Sequence, residues 1–165
     1  MSLYMLHTDI ATDLIHGNSP ALDSRIAATP PQELCISAVT RGELLCGLSQ
    51  QWLRKKPEGT GHTLEEVGRQ FDITRDRIRS AQRAQPLSRL VDQFLSHVAC
   101  LPWDAAAAGH FAMIAVALHH SGTPIGNIDT MIAGHAIAMG AVLVTNREGR
   151  FIRVAGLKLE NWTAA

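Results

Sequence analysis

No apolar run in the sequence reaches the roughly 18 residues that a membrane-spanning helix needs. The first residues also lack a basic segment followed by an apolar core, so no signal peptide is expected. Cysteine is scarce: Cys35, Cys46 and Cys100 are odd in number, far apart and set among apolar neighbours. That usage excludes a disulfide framework and argues for reduced thiols buried in the core of a cytoplasmic protein. Neither G-x-G-x-x-G after the first strand nor G-x-x-x-x-G-K-[ST] occurs, which sets the nucleotide-binding folds aside. Charged residues are only 18% against 46% hydrophobic, the balance of a soluble globular chain. At 165 residues it fits one domain, long enough to bury about two-thirds of its unfolded surface. Net charge is absent too, with 15 basic and 15 acidic residues, but the balance is uneven. Nine of the basic residues fall between Arg54 and Arg89, against five acids, so one segment is basic and the remainder mildly acidic.

What is present is a repeated alternation of short apolar runs with helical patterns. "YML" (4–6) stops at His7-Thr8-Asp9, and Ile10, Leu14 and Ile15 then share one helical face. A short helix is expected over 21–28. "LCIS" (34–37) reads as a buried strand and precedes an amphipathic helix over about 40–53 with Glu43 in its first turn. Pro86 opens a helix to Val98 whose apolar face is Leu87, Leu90, Val91, Phe94 and Leu95. A short strand (99–101) and an Ala-rich helix capped by Asp104 follow. The glycine turn "SGTPIGNID" then leads into a helix carrying Asp129. "AVLVT" (141–145) is a fully apolar strand, and 156–162 is a plausible last one. Strands alternating with helices in this way imply an α/β fold, a parallel sheet with helices on both faces.

Several polar residues fall at the carboxyl ends of these strands and in the first turns after them. They are His7, Thr8, Asp9, Glu43, Asp129, Thr145 and Asn146, and an open parallel sheet brings such positions to one crevice. Carboxylates gathered there repel one another, and a divalent cation such as Mg²⁺ or Mn²⁺ is the usual remedy. Oxygen-rich sites of that kind serve phosphodiester hydrolysis, where the metal activates water and neutralises charge at phosphorus. Singly, each acid also reads as a helix cap or a dipole partner. His135, inside "AGHA", reads as a packed residue, and His119-His120 complements a helix C-terminus.

Taken together, these stretches resemble the VapC-type toxins of the PIN-domain family over about 3–53 and 84–162. "YMLHTDI" is similar to the family's "MLDTN", and "CISAVTRGELLCGL" carries its S-x-x-T-x-x-E. "GTPIGNIDTMIAGHAIAMGAVLVTN" resembles its central and last motifs, and "FIRVAGLKLENW" its tail. The resemblance implies a three-layer PIN-like domain spanning 1–165. It further implies a Mg²⁺- or Mn²⁺-dependent RNA endonuclease, the toxin of a type II toxin–antitoxin pair, with RNA as substrate, an antitoxin as partner and a homodimeric state. By motif position, Glu43 and Asp129 are implied as metal-binding catalytic acids. Asp9 and His7 are implied as assistants, and Thr8, Thr145 and Asn146 as lining residues. Two positions depart from the pattern: His7 stands for the family's first aspartate, and Arg147 for the Asp or Asn after the last strand. A second reading is therefore a catalytically impaired relative that binds antitoxin or RNA.

"HTLEEVGRQFDITRDRIR" (62–79) is not PIN-like and resembles the helix-turn-helix of region 4 in primary sigma factors. Thr63 and Glu66 make a capping box, Leu64, Val67 and Phe71 line one face, and Thr74 caps a second helix. Arg75, Arg77 and Arg79 then face outward as nucleic-acid contacts. The stretch is expected to be a helical hairpin inserted over about 57–82. A third reading is accordingly a DNA-binding regulator acting through 63–79.

Overall fold

The structure, a computed structural model, describes residues 2–53 and 86–164. The hairpin expected over 57–82, with Arg75, Arg77 and Arg79, lies outside the described residues. Strand β1 (Tyr4–Leu6) runs into helix α1 (Thr8–His16), and α2 (Pro20–Ala28) follows. β2 (Leu34–Ser37) continues without a loop into α3 (Ala38–Leu53). Next come α4 (Pro86–His97), β3 (Ala99–Leu101), α5 (Ala105–His120) and α6 (Asn127–Ala138). β4 (Val142–Val144), the short α7 (Glu148–Phe151) and β5 (Lys158–Glu160) complete the order.

All five strands pair in parallel in the order β3-β2-β1-β4-β5. Tyr4 lies opposite Leu34 on one side and Val142 on the other. The chain therefore builds outward from β1 first one way and then the other, and the switch falls between β1 and β4. A parallel sheet buried on both faces needs apolar residues at every strand position, as the runs at β1, β2 and β4 provide. Alternation divides them: Met5, Cys35 and Leu143 pack under α5 and α6 with Ile114, Ile132 and Phe151. Leu6, Ile36 and Val144 pack on the other face with Ile10 of α1, Leu22 of α2 and Trp162. A third cluster joins α1, α3 and α4 through Ala11, Ile15, Leu44 and Val91. The expected three layers are thus present. Among the described residues no helix is long and apolar enough to cross a membrane.

Local features follow the sequence chemistry. Asp104 caps α5 by accepting from the Ala107 amide at 3.0 Å, as expected. Gly17 ends α1 at φ 65°, a left-handed conformation that an L side chain adopts only with strain. Helices α5 and α6 approach at Gly134, where a Cβ would stand 2.7 Å from the Phe111 backbone nitrogen.

Two expectations fail. Only Cys35 is a core thiol, whereas Cys46 and Cys100 are exposed. Cys46 lies on the face of α3 turned away from Leu44, and Cys100 belongs to β3, which among the described residues has a neighbour on one side only. Apolar sequence neighbours did not translate into burial at either place. The other failure is Glu43: α3 begins at Ala38, so this acid sits beyond the first turn and cannot complement the helix N-terminus.

Candidate functional site

The crevice opens where β1 and β4 end side by side. His7 prolongs the β1–β4 ladder by donating its amide to Val144 O at 3.0 Å, which fixes the start of α1 over the switch point. The crevice encloses about 370 Å³ and is lined by His7, Thr8, Asp9, Glu43, Asp129 and Asn146. Thr145 is buried beneath Asp9. All seven residues anticipated from strand ends therefore assemble, on β1, α1, α3, α6 and the β4 end.

At the centre is His7, 2% exposed. Its Nδ1 lies 2.9 Å from Asp9 Oδ1 and its Nε2 lies 3.2 Å from Asp129 Oδ1. The ring also meets the Phe151 ring edge-on, with centroids 5.0 Å apart. Burial alone pushes an imidazole toward its neutral form, but hydrogen bonds and charges from Asp129 and Asp9 outweigh it, raising His7 from 6.5 to about 9. At neutral pH the ring is therefore an imidazolium donating from both nitrogens. Burial lifts the two carboxylates and the same partners more than reverse it, leaving Asp9 and Asp129 below the usual range.

A second cation completes the arrangement. Arg150, on α7, donates to Asp129 Oδ2 at 2.6 Å with its side chain half exposed. Both oxygens of Asp129 thus hold positively charged groups of the protein. Asp9 is equally engaged: Oδ1 also accepts from the Ile10 amide at 2.7 Å. Its Oδ2 accepts from the Thr145 hydroxyl at 2.8 Å and the Asn146 amide at 3.2 Å. Asn146 Nδ2 donates in turn to Asp13 Oδ2 at 3.0 Å. Thr8 donates its hydroxyl to Glu43 Oε2, tying α1 to α3.

The mutual repulsion expected of these acids is consequently offset at Asp9 and Asp129 by His7 and Arg150, while Glu43 and Asp13 are met by the neutral Thr8 and Asn146. This bears directly on a divalent ion. Among the described residues, no group of three or more His, Cys, Asp or Glu side chains is arranged to hold a metal. An ion at Asp129 would have to displace Arg150 or approach it together with His7. As they stand, the donors do not fit Mg²⁺ or Mn²⁺.

Sequence reasoning missed Arg150 and Asp13. Asp13 was within reach, since it lies four residues after Asp9 on the same face of α1. Arg150 carried no such signal: the suspect was Arg147, which lines the crevice but has its amide, at 3.0 Å, on Thr145 Oγ1. His135 is packed as expected. It is fully buried, bonded through Nδ1 to Ser37 Oγ at 2.9 Å, and held toward the neutral form by burial, against a smaller opposing pull from Asp104.

The comparisons place this geometry among known proteins. The tRNA(fMet)-specific endonuclease VapC of Shigella flexneri is 31% identical over 163 residues, covering 99% of this chain and all of that protein. Its Salmonella typhimurium counterpart is 42% identical over 73 residues, a stretch that makes 55% of that protein but 44% of this chain. Among solved structures, a chain of DNA-bound VapBC from Salmonella typhimurium superposes with a TM-score of 0.70 at 28% identity, covering 98% of this chain and 99% of that one. A chain of VapBC2 from Rickettsia felis bound to a promoter DNA fragment gives 0.69 at 26% identity, covering 97% and 98%. The family model described as PIN domain matches residues 4–157, a span that holds every crevice residue named above. On these grounds the chain belongs to the PIN-domain family, in its VapC branch.

Proposed function

We propose that the protein is an RNA endonuclease of the VapC type, the toxin half of a toxin–antitoxin pair acting in the cytoplasm. The observation that carries this reading is the gathering of Asp9, Glu43 and Asp129 at the sheet switch point of a chain alignable end to end with a tRNA endonuclease. RNA phosphodiester bonds are the substrate class and a VapB-like antitoxin is the partner.

The resemblance names Mg²⁺ or Mn²⁺ as cofactor, which would contribute water activation and charge neutralisation through Glu43 and Asp129. Because the donors do not fit the ion as they stand, each role here goes to the chain itself. Asp9, locked by Thr145 and Asn146, keeps His7 in register. Glu43, bonded through Oε2 to Thr8, is a crevice acid placed to orient an attacking water and accept its proton, while the P–O3′ bond breaks to leave a 5′-phosphate and a 3′-oxygen that takes a proton from solvent.

A second reading is favoured by the engagement of Asp129 with His7 and Arg150: a relative that binds RNA and antitoxin but hydrolyses RNA poorly. Single-turnover incubation with initiator tRNA, in EDTA and across Mg²⁺ and Mn²⁺ series, separates the two. Cleavage by the parent that drops at least about a hundredfold in Glu43→Gln supports the endonuclease. Binding without cleavage under every condition supports the second reading, and no binding of RNA at all removes both.

A further inference from the structure

We propose that the crevice binds the phosphodiester backbone of single-stranded RNA through its own guanidinium groups, Arg150 and Arg147, without a divalent cation between protein and phosphate. This rests on the reading that RNA is the ligand and goes beyond it in naming what meets the phosphate. A site made only of acids repels a polyanion and needs a bridging metal to receive one. Here residues of the chain reduce that repulsion, because His7 and Arg150 offset the charges of Asp9 and Asp129. Arg150 stands 2.6 Å from Asp129 Oδ2, the acid that the family pattern assigns to a metal.

Arg150 uses one nitrogen of its fork for Asp129 and keeps the side chain 49% exposed. A guanidinium has five N–H donors in one plane, so a group anchored by one edge still presents others to a second anion. The anchoring carboxylate restricts the side chain, which lowers the entropy lost when phosphate binds. Arg147 lies three residues earlier and lines the same crevice. Arg147 is the N-cap of α7 and Arg150 lies within its single turn, Glu148–Phe151, whose Phe151 is fully buried against the sheet. The two guanidinium groups are therefore carried on a segment nailed into the core rather than on a loose tail.

Asp9, Asp13, Glu43 and Asp129 are the acids of the crevice, and Asp9 and Asp129 are the two whose oxygens are held by His7 and Arg150. Asp13 is bonded to Asn146 and Glu43 to Thr8. The charges of Arg147 and Arg150 do not titrate in the working range, so the two phosphate-binding groups stay charged throughout it.

The experiment is fluorescence anisotropy with labelled oligouridylate, using the full chain, in EDTA and in Mn²⁺ over a range of salt. The parent is expected to bind in EDTA within about twofold of its affinity in Mn²⁺. Arg150→Gln is expected to weaken binding about tenfold, the scale of one charge-assisted contact, and Arg147→Gln about threefold. Each neutral variant should also flatten the log–log salt dependence by about 0.7, the signature of one lost phosphate contact on a single strand. Arg150→Lys should keep that slope while losing affinity, which a purely structural role would not produce. Calorimetry of the parent with MnCl₂ alone should give no saturable one-site binding. Binding of RNA that requires Mn²⁺, or an Arg150→Gln variant that binds as well as the parent with an unchanged slope, overturns the inference while leaving the ribonuclease reading intact. Absence of RNA binding in EDTA and in Mn²⁺ alike removes that reading and the inference together.

Discussion

Replacing His7 by aspartate would exchange a cation for an anion at the most enclosed point of the site. Two charge-assisted hydrogen bonds, at 2.9 Å to Asp9 and 3.2 Å to Asp129, disappear. In their place stand three carboxylates in a position 2% exposed. Removing one partner of a buried pair costs about 3–5 kcal/mol because the other charge is left uncompensated. The variant has less bulk at this position, so water can enter and the lower end of that range is expected. For a domain of this length about 1 kcal/mol corresponds to 2–4 °C, so His7→Asp should melt about 10 °C below the parent in EDTA. The same substitution restores the acid cluster that suits a hard cation. Saturation with Mn²⁺ to about a hundred times its dissociation constant would return about 2.7 kcal/mol, most of the loss. The parent should show almost no such gain. Scanning calorimetry of both proteins, with EDTA and with Mn²⁺, reads all four states. The reasoning is refuted if the variant melts within about 2 °C of the parent in EDTA, or if Mn²⁺ stabilises both proteins equally.

Other outcomes follow from the same geometry. Because His7 titrates near 9 in the folded chain and near 6.5 unfolded, its contribution is full below the lower value and is lost as pH rises through the upper one. The melting-temperature gap between the parent and His7→Gln should therefore shrink by roughly 3 kcal/mol equivalent from pH 6 to 10, and a gap that stays flat would place the proton elsewhere. His7→Asp should raise Mg²⁺-dependent RNA cleavage at least tenfold, about 1.4 kcal/mol of barrier, in single-turnover assays; equal rates would mean that the histidine is a competent substitute. Gly134→Ala should cost about 1–3 kcal/mol by denaturant titration, since its methyl group meets Phe111 backbone rather than a yielding side chain. Deleting 57–82 should leave a soluble protein that still unfolds cooperatively on heating, because α3 and α4 already meet through Leu44 and Val91; an unfolded product would put Leu64, Val67 or Phe71 in the main core.

The sheet and the crevice were legible because both depend on local pattern. Apolar triplets bounded by polar residues mark β1, β2 and β4, and a parallel sheet brings strand ends together whatever the side chains are. His7, Asp9, Glu43 and Asp129 could be placed on that basis alone. Arg150 could not, since its role depends on where α7 turns, and that is set by Phe151 entering the core beneath Met5 and Leu143. Helix boundaries had similar consequences: two residues' difference at the start of α3 decided whether Glu43 was a dipole partner. The burial of cysteines was misjudged for a related reason. Neighbouring leucines on α3 share a sequence window with Cys46 without sharing its face.

The shared hold of His7 and Arg150 on Asp129 also makes the consequence of a change at one position depend on the residue at the other. With an acid at position 7, the guanidinium at position 150 would be the cation left to offset the crowded carboxylates. That substitution confronts two carboxylates that have lost their imidazolium, with a single half-exposed guanidinium left to compensate. The effects of substitutions at positions 7 and 150 are therefore expected to be non-additive, because each changes the charge the other meets at Asp129. A double-mutant cycle at positions 7 and 150 measures that non-additivity.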